Sequence, residues 1–424
     1  MLNSNNPTIT SWVEIPPQSD FPIQNLPFGI FKTTDRSPRA GVAIGHFIID
    51  LHELAQQGYL DKIDSTTTSL FSQPYLNSFF SGGRSAVRKI RERLSEILRH
   101  DNPELRDHTA NRKKILVPLH DATLCMPIKI GNYTDFYSSI EHASNVGKLF
   151  RDPQNPLLPN WKHMPIAYHG RASSIILSGT PIHRPKGQTK TDGQVNPVFG
   201  PTKALDFELE MAFVIGKPST LGHSISVQEA EEHIIGFMLF NDWSARDIQR
   251  WEYVPLGPFL GKNFGSSISA WIVTLDALEP YRIEGPQQDI PILPYLQVNG
   301  KNNFDIQLEV IIQPKEGKEV SICQTNFKNI YWSIHQQLAH HTINGCNVDT
   351  GDVMASGTIS GSDEKSYGSM LELTWNGKKP LSMPDGTERK FIQDGDTVIM
   401  RGFSTKNGIR IGFGEVRNTI LPSL

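Results

Sequence analysis

The stretch Ala204-Leu-Asp-Phe-Glu-Leu-Glu-Met-Ala-Phe-Val-Ile-Gly216 places carboxylates at regular intervals. Leu205, Phe207, Leu209, Met211 and Phe213 fall on one face of an extended chain, and Asp206, Glu208, Glu210 and Ala212 on the other. This is the alternation of a half-buried strand. At about 3.3 Å per residue, Glu208 and Glu210 stand roughly 7 Å apart on the same side. If that face is enclosed, the carboxylates repel and a hard cation with oxygen ligands relieves them. If it is open, they are the solvated side of a sheet. The nearly all-apolar run Gly236–Trp243 ends on Asn241-Asp242 and reads as a strand buried on both faces, and Asp135 stands at a strand or loop end. Oxygen donors of this kind favour Ca2+ or Mg2+ over zinc. His142, seven residues after Asp135, can act as a general base near neutral pH. Arg246, Gln249 and Lys262 follow Asp242 closely and can donate to a developing negative charge, while Tyr137, Tyr168 and Tyr253 can line a small polar pocket. Each also has a plainer role: a structural histidine, a surface Arg246–Asp247 ion pair, tyrosines in a core or rim.

The elements that must position these groups form two blocks. Residues 1–127 read as a small α+β domain. An irregular lead-in over 1–24 is followed by short strands at Gly29–Lys32, Arg39–Ile44 and His46–Asp50, with a tight hairpin at Gly45. Helices are expected over Leu51–Gly58 and Ser85–His100, the second with an apolar stripe of Val87, Ile90, Leu94, Ile97 and Leu98. Asp101–Lys114 is charged and weakly patterned, and nothing in this block looks catalytic. From residue 128 to 424, Gly, Pro, Asn and Asp recur between short β-prone runs, as in a β-roll or barrel. A helix is expected from near Ser138 with His142 in its first turns. Residues 155–178 read as loop apart from a strand at Ile175–Leu177. Ser226–Glu229 fits a capping box for a helix over Val227–Ile235. Short helices are expected over Ser244–Trp251 and Asn326–His341, the latter carrying His340 and His341 as dipole partners rather than ligands. Strands are expected at 204–215, Ser267–Leu275, Phe304–Gln313, Gly351 onward, Met370–Trp375, Thr397–Gly402 and Arg410–Val416.

The whole chain sets limits on function. Its 424 residues are 38% hydrophobic and 20% charged, enough for a large core. A net charge of −3 gives no global field for nucleic acid or an anionic membrane. The three cysteines, Cys125, Cys323 and Cys346, are scattered, with neither a disulfide framework nor zinc spacing, which fits a reducing cytosol. No apolar run has the ~18 residues of a spanning helix, and the first residues lack the features of a signal peptide.

Longer motifs carry a resemblance. Tyr133-Thr-Asp-Phe-Tyr-Ser-Ser139, Tyr168-His-Gly-Arg-Ala-Ser-Ser174, Asp206-Phe-Glu-Leu-Glu-Met-Ala212, Asn241-Asp-Trp-Ser-Ala-Arg-Asp247, Trp251-Glu-Tyr-Val-Pro-Leu-Gly-Pro-Phe-Leu-Gly-Lys262 and Ser356-Gly-Thr-Ile-Ser-Gly-Ser-Asp363 resemble, in order, the fumarylacetoacetase branch of the fumarylacetoacetate hydrolase family. The likeness includes Ser19–Pro27 and so covers essentially the whole chain. It implies a mostly β fold with α+β elements: a small SH3-like barrel N-terminal domain plus a C-terminal β-roll, assembled as a cytoplasmic homodimer. It implies hydrolysis of a carbon–carbon bond in a 1,3-diketo acid, giving fumarate and acetoacetate at the end of tyrosine and phenylalanine breakdown. Carried over residue by residue, Asp135, Glu208, Glu210 and Asp242 are expected to ligate Ca2+. Asp242, Lys262 (through its backbone carbonyl) and Ser266, where the family usually has threonine, are expected at a nearby Mg2+ site. His142 matches the catalytic base and Glu372 its orienting partner. Arg246, Gln249 and Lys262 match donors to the oxyanion, and Tyr137, Arg151, Tyr168, Gln249, Tyr253 and Thr358 match substrate contacts. Other readings stay open at this point: an acylpyruvate hydrolase of the same superfamily, a non-catalytic metal-stabilised binding module, or a metal-dependent nuclease, against which the lack of a basic patch counts.

Overall fold

The structure is a computed structural model and describes residues 3–63 and 67–424; the first two residues of the expected lead-in lie outside the described residues. The N-terminal block is a five-stranded antiparallel sheet in the order Leu116–Pro118, Phe47–Asp50, Arg39–Ile44, Phe28–Lys32, Thr123–Cys125. Gly45 turns the central hairpin with φ +54. The amphipathic helix Gly83–Leu98 buries Val87, Ile90, Leu94, Ile97 and Leu98 as its stripe requires. The charged segment after it forms two short helices, Pro103–Arg106, capped by Asn102, and Thr109–Ile115.

Among the described residues, the rest of the chain is built on two larger sheets, with four two-stranded ladders beside them. The larger runs Ala167–His169, Tyr133–Phe136, Val353–Ala355, Leu209–Ile215, Ile234–Asp242, Ser266–Ile268, Ile175–Leu177. The other runs Val320–Asn326, Gln307–Gln313, Thr397–Lys406, Ile409–Leu421, Ile182–His183. The central strands of the larger sheet are covered on both sides. Leu209, Met211 and Phe213 pack with Leu308, Val310, Val398 and Met400 of the second sheet. On the opposite face Ala212, Val214, Met238, Phe240, Val353 and Tyr133 join one apolar cluster with Phe28, Ile30, Phe79 and Phe80 of the N-terminal block. The alternation at 204–215 is thus correct in phase but not half-buried, because a second layer covers each face.

Several elements differ from their expected form. The run 204–215 is not one strand. It breaks after Leu205–Asp206 and resumes at Leu209. There Asn241 Oδ1 accepts the Glu208 N–H and Gly368 O accepts the Leu209 N–H. The capping-box bonds between Ser226 and Glu229 form, but the helix they open is only Ala230–His233. Ile234 and Ile235 are drawn instead into the core strand. The helix expected from Asn326 begins at Ile334, after a 3-10 turn at Phe327–Asn329, because Ser333 and Gln336 make its capping box. Ser244–Ala245 pairs as a strand before the helix Arg246–Glu252. The loop expected over 155–178 contains the strand Ala167–His169, paired with Tyr133–Phe136. Most consequential for the chemistry, Met370–Trp375 is not a strand: Met370–Leu373 is a helix capped by Ser369. Its signature is local, since Ser369-Met-Leu-Glu372 is an S-x-x-E pattern, which favours a helix start over an apolar strand.

Candidate active site

Three strands carry an acid at the same end of one sheet face. Reading Val214, Ala212, Glu210 in one strand, Met238, Phe240, Asp242 in the next and Tyr133, Asp135 in a third, the face changes from apolar to acidic toward one end in steps, Asp135 in register with Ala355 and Ala212, and Glu210 with Phe240. Leu209–Ile215 and Ile234–Asp242 are antiparallel, so the N-terminal end of one meets the C-terminal end of the other. Side-chain period two does the rest. Asp135, Glu208, Glu210 and Asp242 are buried, and each offers one oxygen within 4.8 Å of the others. Ligands about 2.4 Å from one ion on opposite sides are about that far apart. The group can hold a metal ion.

The hydrogen bonds show which oxygens are spoken for. Glu208 Oε2 accepts from Lys262 Nζ (2.5 Å) and Oε1 lies 2.8 Å from Arg246 Nη1. Asp242 Oδ1 accepts from the Ser266 hydroxyl (2.9 Å), and Oδ2 from Lys262 Nζ (2.8 Å) and the Tyr168 hydroxyl (2.7 Å). Asp135 Oδ2 accepts from the Tyr133 hydroxyl (2.8 Å). Glu210 Oε2 accepts the N–H of Gly357 (3.0 Å). That approach needs glycine: φ is +77, and a Cβ would sit 2.3 Å from Phe136 O. Asp135 Oδ1 and Glu210 Oε1 are buried with no hydrogen-bond partner. Two bare, buried carboxylate oxygens in one four-acid group are what a divalent cation of the Ca2+ or Mg2+ type fits.

The charges follow. Burial, then the charges of Asp242 on Asp135 and of Asp135 on Glu210, push both carboxyls far above the ordinary range. Burial also opposes ionisation of Glu208, but Lys262 and Arg246 outweigh it and hold Glu208 well below that range. Lys262 is raised: burial works against its charge, and Asp242 and Glu208 more than restore it.

His142 comes from the helix Ile140–Phe150, capped by Ser139, and its Nδ1 lies 2.6 Å from Glu372 Oε2. Glu372 also accepts from Asn145 Nδ2 (2.9 Å), Ser360 (3.0 Å) and Ser369 (2.8 Å). Burial raises its carboxyl, yet the His142 charge and these bonds keep it below the ordinary value. An ionised carboxylate only accepts, so the hydrogen bond of this pair places a proton on His142 Nδ1 and leaves Nε2 as the ring nitrogen free of Glu372. Tyr137 packs edge-on against the imidazole at 5.3 Å. Arg246 is fixed by Asp206 (Nε to Oδ2, 2.8 Å) and Glu208, and its Nη2 is buried without a partner, as is the Thr358 hydroxyl. Gln249 Oε1 is 3.4 Å from Arg246 Nη1.

The fold therefore gathers Asp135, Glu208, Glu210, Asp242, Lys262, Ser266, Tyr168, Arg246 and Gln249 around one acidic centre, with His142, Glu372 and Tyr137 beside it. Arg151 lies further out. Its guanidinium donates to Pro156 O, though its charge reaches the Tyr137 phenol. Tyr253 is 49% exposed. Arg246 and Asp247 do not pair with each other; Asp247 accepts from Thr202 and the Lys203 N–H instead. His340 and His341 stay outside the acidic group, bonded to Tyr295 and Thr134. Sequence reading missed Tyr133, Asn145, Asp206, Gly357, Ser360 and Ser369. Asn145, three residues after His142 on one helix, and Ser369, three before Glu372, had local signals. The others lie inside quoted motifs, but their partners are distant in sequence.

Comparison with known proteins identifies the family. The family model described as "Fumarylacetoacetate (FAA) hydrolase C-terminal" matches residues 132–421, and that described as "Fumarylacetoacetase N-terminal" matches 24–127. A solved structure, "Fumarylacetoacetate hydrolase (EaFAH) from psychrophilic Exiguobacterium antarcticum", shares the fold with a TM-score of 0.53 at 17% identity, over 94% of this chain and 99% of that one. These define a mostly β fold of the fumarylacetoacetate hydrolase type. Relatives called fumarylacetoacetase are 49% identical in Oryza sativa subsp. japonica (100% of each chain), 49% in Homo sapiens (98% and 99%) and 51% in Caenorhabditis elegans (97% and 99%). The chain belongs to the fumarylacetoacetase family.

Proposed function

We propose that the protein hydrolyses fumarylacetoacetate to fumarate and acetoacetate, the last step of tyrosine and phenylalanine catabolism. The observation that carries this reading is the Glu372–His142 pair set beside four buried carboxylates and an Arg246 Nη2 with no partner. The names of relatives about half identical over the full chain supply the substrate.

His142 Nε2 takes a proton from water while Glu372 holds the ring and stabilises the imidazolium. The hydroxide adds to a carbonyl of the diketo acid. Arg246, Gln249 and Lys262 donate to the alkoxide, and the unpartnered Arg246 Nη2 gains a bond only once that charge develops. Bond cleavage expels acetoacetate as its enolate, and protonation completes the reaction. Tyr137, Arg151, Tyr168, Gln249, Tyr253 and Thr358 hold the substrate. Asp135, Glu208, Glu210 and Asp242 would hold Ca2+, and Asp242, Ser266 and the Lys262 carbonyl would hold Mg2+. When bound, the metal polarises the diketone oxygens and offsets charge on the enolate.

We also propose a cytoplasmic homodimer. Exposed apolar side chains such as Phe199 (74%), Leu256 (97%) and Phe259 (59%) support self-association. Among the described residues no helix is long and apolar enough to cross a membrane.

The test follows loss of fumarylacetoacetate absorbance with and without a chelator, beside an acylpyruvate. Turnover of the first substrate, abolished by chelation, is expected. Preference for the acylpyruvate refutes the substrate, and keto-acid binding without fumarate release refutes catalysis.

A further inference from the structure

Asp206 takes no part in the proposed reaction, yet its carboxylate joins the two halves of the site. It is fully buried. Oδ1 accepts the Met370 N–H at 2.7 Å, and Oδ2 accepts the Leu371 N–H at 2.9 Å and Arg246 Nε–H at 2.8 Å. Met370 and Leu371 are the first two residues of the helix whose third is Glu372. Arg246 starts the helix Arg246–Glu252, and its backbone N–H is held by Ala204 O. The two-residue ladder Leu205–Asp206 against Ser244–Ala245 keeps Asp206 beside that helix. One carboxylate thus ties together segments that start 40 and 164 residues further along the chain than Asp206 itself.

We infer that Asp206 is a positioning residue that locks the Arg246 guanidinium to the helix carrying Glu372, and so sets the alkoxide donor relative to the His142–Glu372 pair. The inference rests on the functional reading above. All three groups facing Asp206 are donors, so the side chain there must accept at both oxygens and donate nothing. An amide turns one oxygen into a donor and faces it against an N–H. Arg246 already gives Nη1 to Glu208. Released at Nε, the guanidinium can turn Nη2 onto the same carboxylates, and the donor kept free for the alkoxide is lost. Released at its N-terminus, the short helix no longer fixes the height of Glu372 against His142.

The test uses the full-length, metal-loaded protein with Asp206→Asn and Asp206→Ser. The serine keeps an acceptor without the donor clash and serves if the asparagine does not fold. Positioning predicts a kcat lower by about 10- to 100-fold, as for residues that orient others in a site, with KM nearly unchanged. In an Arg246→Gln background the same change should cost clearly less, because the Arg246 arm of the lock is already gone and only the Glu372 arm remains to be lost. Asp276→Asn is the control. That buried acid pairs with Arg84 and Arg88 away from the site, so its loss should lower the melting temperature and leave kcat in place. A readout without substrate is the Arg246 Nε–H signal by 15N NMR, slow to exchange in the parent and fast in Asp206→Asn. Equal losses in both Arg246 backgrounds, a kcat that merely tracks the folded fraction, or unfolding of both variants would overturn the assignment. A parent protein that does not turn over fumarylacetoacetate overturns the functional reading instead, while loss of slow exchange at Nε would still uphold the lock.

Discussion

Replacing Glu372 by glutamine probes the proposed chemistry most directly. The carboxylate is buried and accepts from His142, Asn145, Ser360 and Ser369. Glutamine keeps the shape but has one acceptor oxygen in place of two. If its amide nitrogen faces His142, the ring must present a lone pair at Nδ1 and carry its proton at Nε2, where the base is needed. If the amide is reversed, Nε2 of the glutamine meets Asn145 and the Ser360 hydroxyl. General-base assistance of this type is worth about 10²–10⁴-fold, or about 2.7–5.4 kcal/mol of barrier at 1.36 kcal/mol per decade. Turnover should fall into that range while KM and divalent-metal affinity stay close to the parent. The variant should also lose about 1–3 kcal/mol of stability at neutral pH from a mismatched buried group. The sign of the pH dependence follows from the depressed carboxyl. Its contribution is present above the unfolded-state value of about 4.3 and is lost as pH falls through the lower folded-state value. The gap in melting temperature between parent and variant should therefore be constant from neutral pH to about 5 and close below about 4. Steady-state kinetics, titration calorimetry and melts across pH measure each part. A variant with parental kcat would refute the role of the pair, and a stability gap that widens in acid would refute the charge argument.

Glu210→Gln should act in opposite directions on metal and fold. Its Oε1 is bare beside Asp135, so the chelated protein should gain about 1–3 kcal/mol of stability while Ca2+ no longer raises the melting temperature; a chelated variant less stable than the parent contradicts the electrostatic picture. Gly261→Ala sets a Cβ 2.6 Å from Gln249 Cβ, and should cost about 1–3 kcal/mol through overpacking and lower kcat by shifting Lys262 from Glu208. Unchanged melting and kinetics would show that the loop yields freely. Leu256→Asp should shift the protein toward monomer in analytical ultracentrifugation if the exposed apolar loop is the self-association surface; an unaltered dimer would place that surface elsewhere.

The division between sequence and tertiary structure is visible residue by residue. Period-two alternation placed Glu208 and Glu210 together and opposite Leu209 and Met211, because side-chain direction in a strand is a local property. The motifs around Asp135, Asp242 and Lys262 named side chains that the fold brings together. What alternation could not show was whether the acidic face met water or protein. That depended on the N-terminal block covering Ala212 and Val214 and on Lys262, Arg246, Tyr168, Tyr133 and Gly357 closing around the acids at the end of the same face. The strand expected at Met370–Trp375 became a helix because Ser369 and the distant Asp206 satisfy its first N–H groups. Lys262 and Glu208 are 54 residues apart, and His142 and Glu372 are 230 apart. Residue types and their faces are written locally in the chain. Which oxygens are paired, and which two stay bare, is decided only when distant strands meet in a water-excluded space.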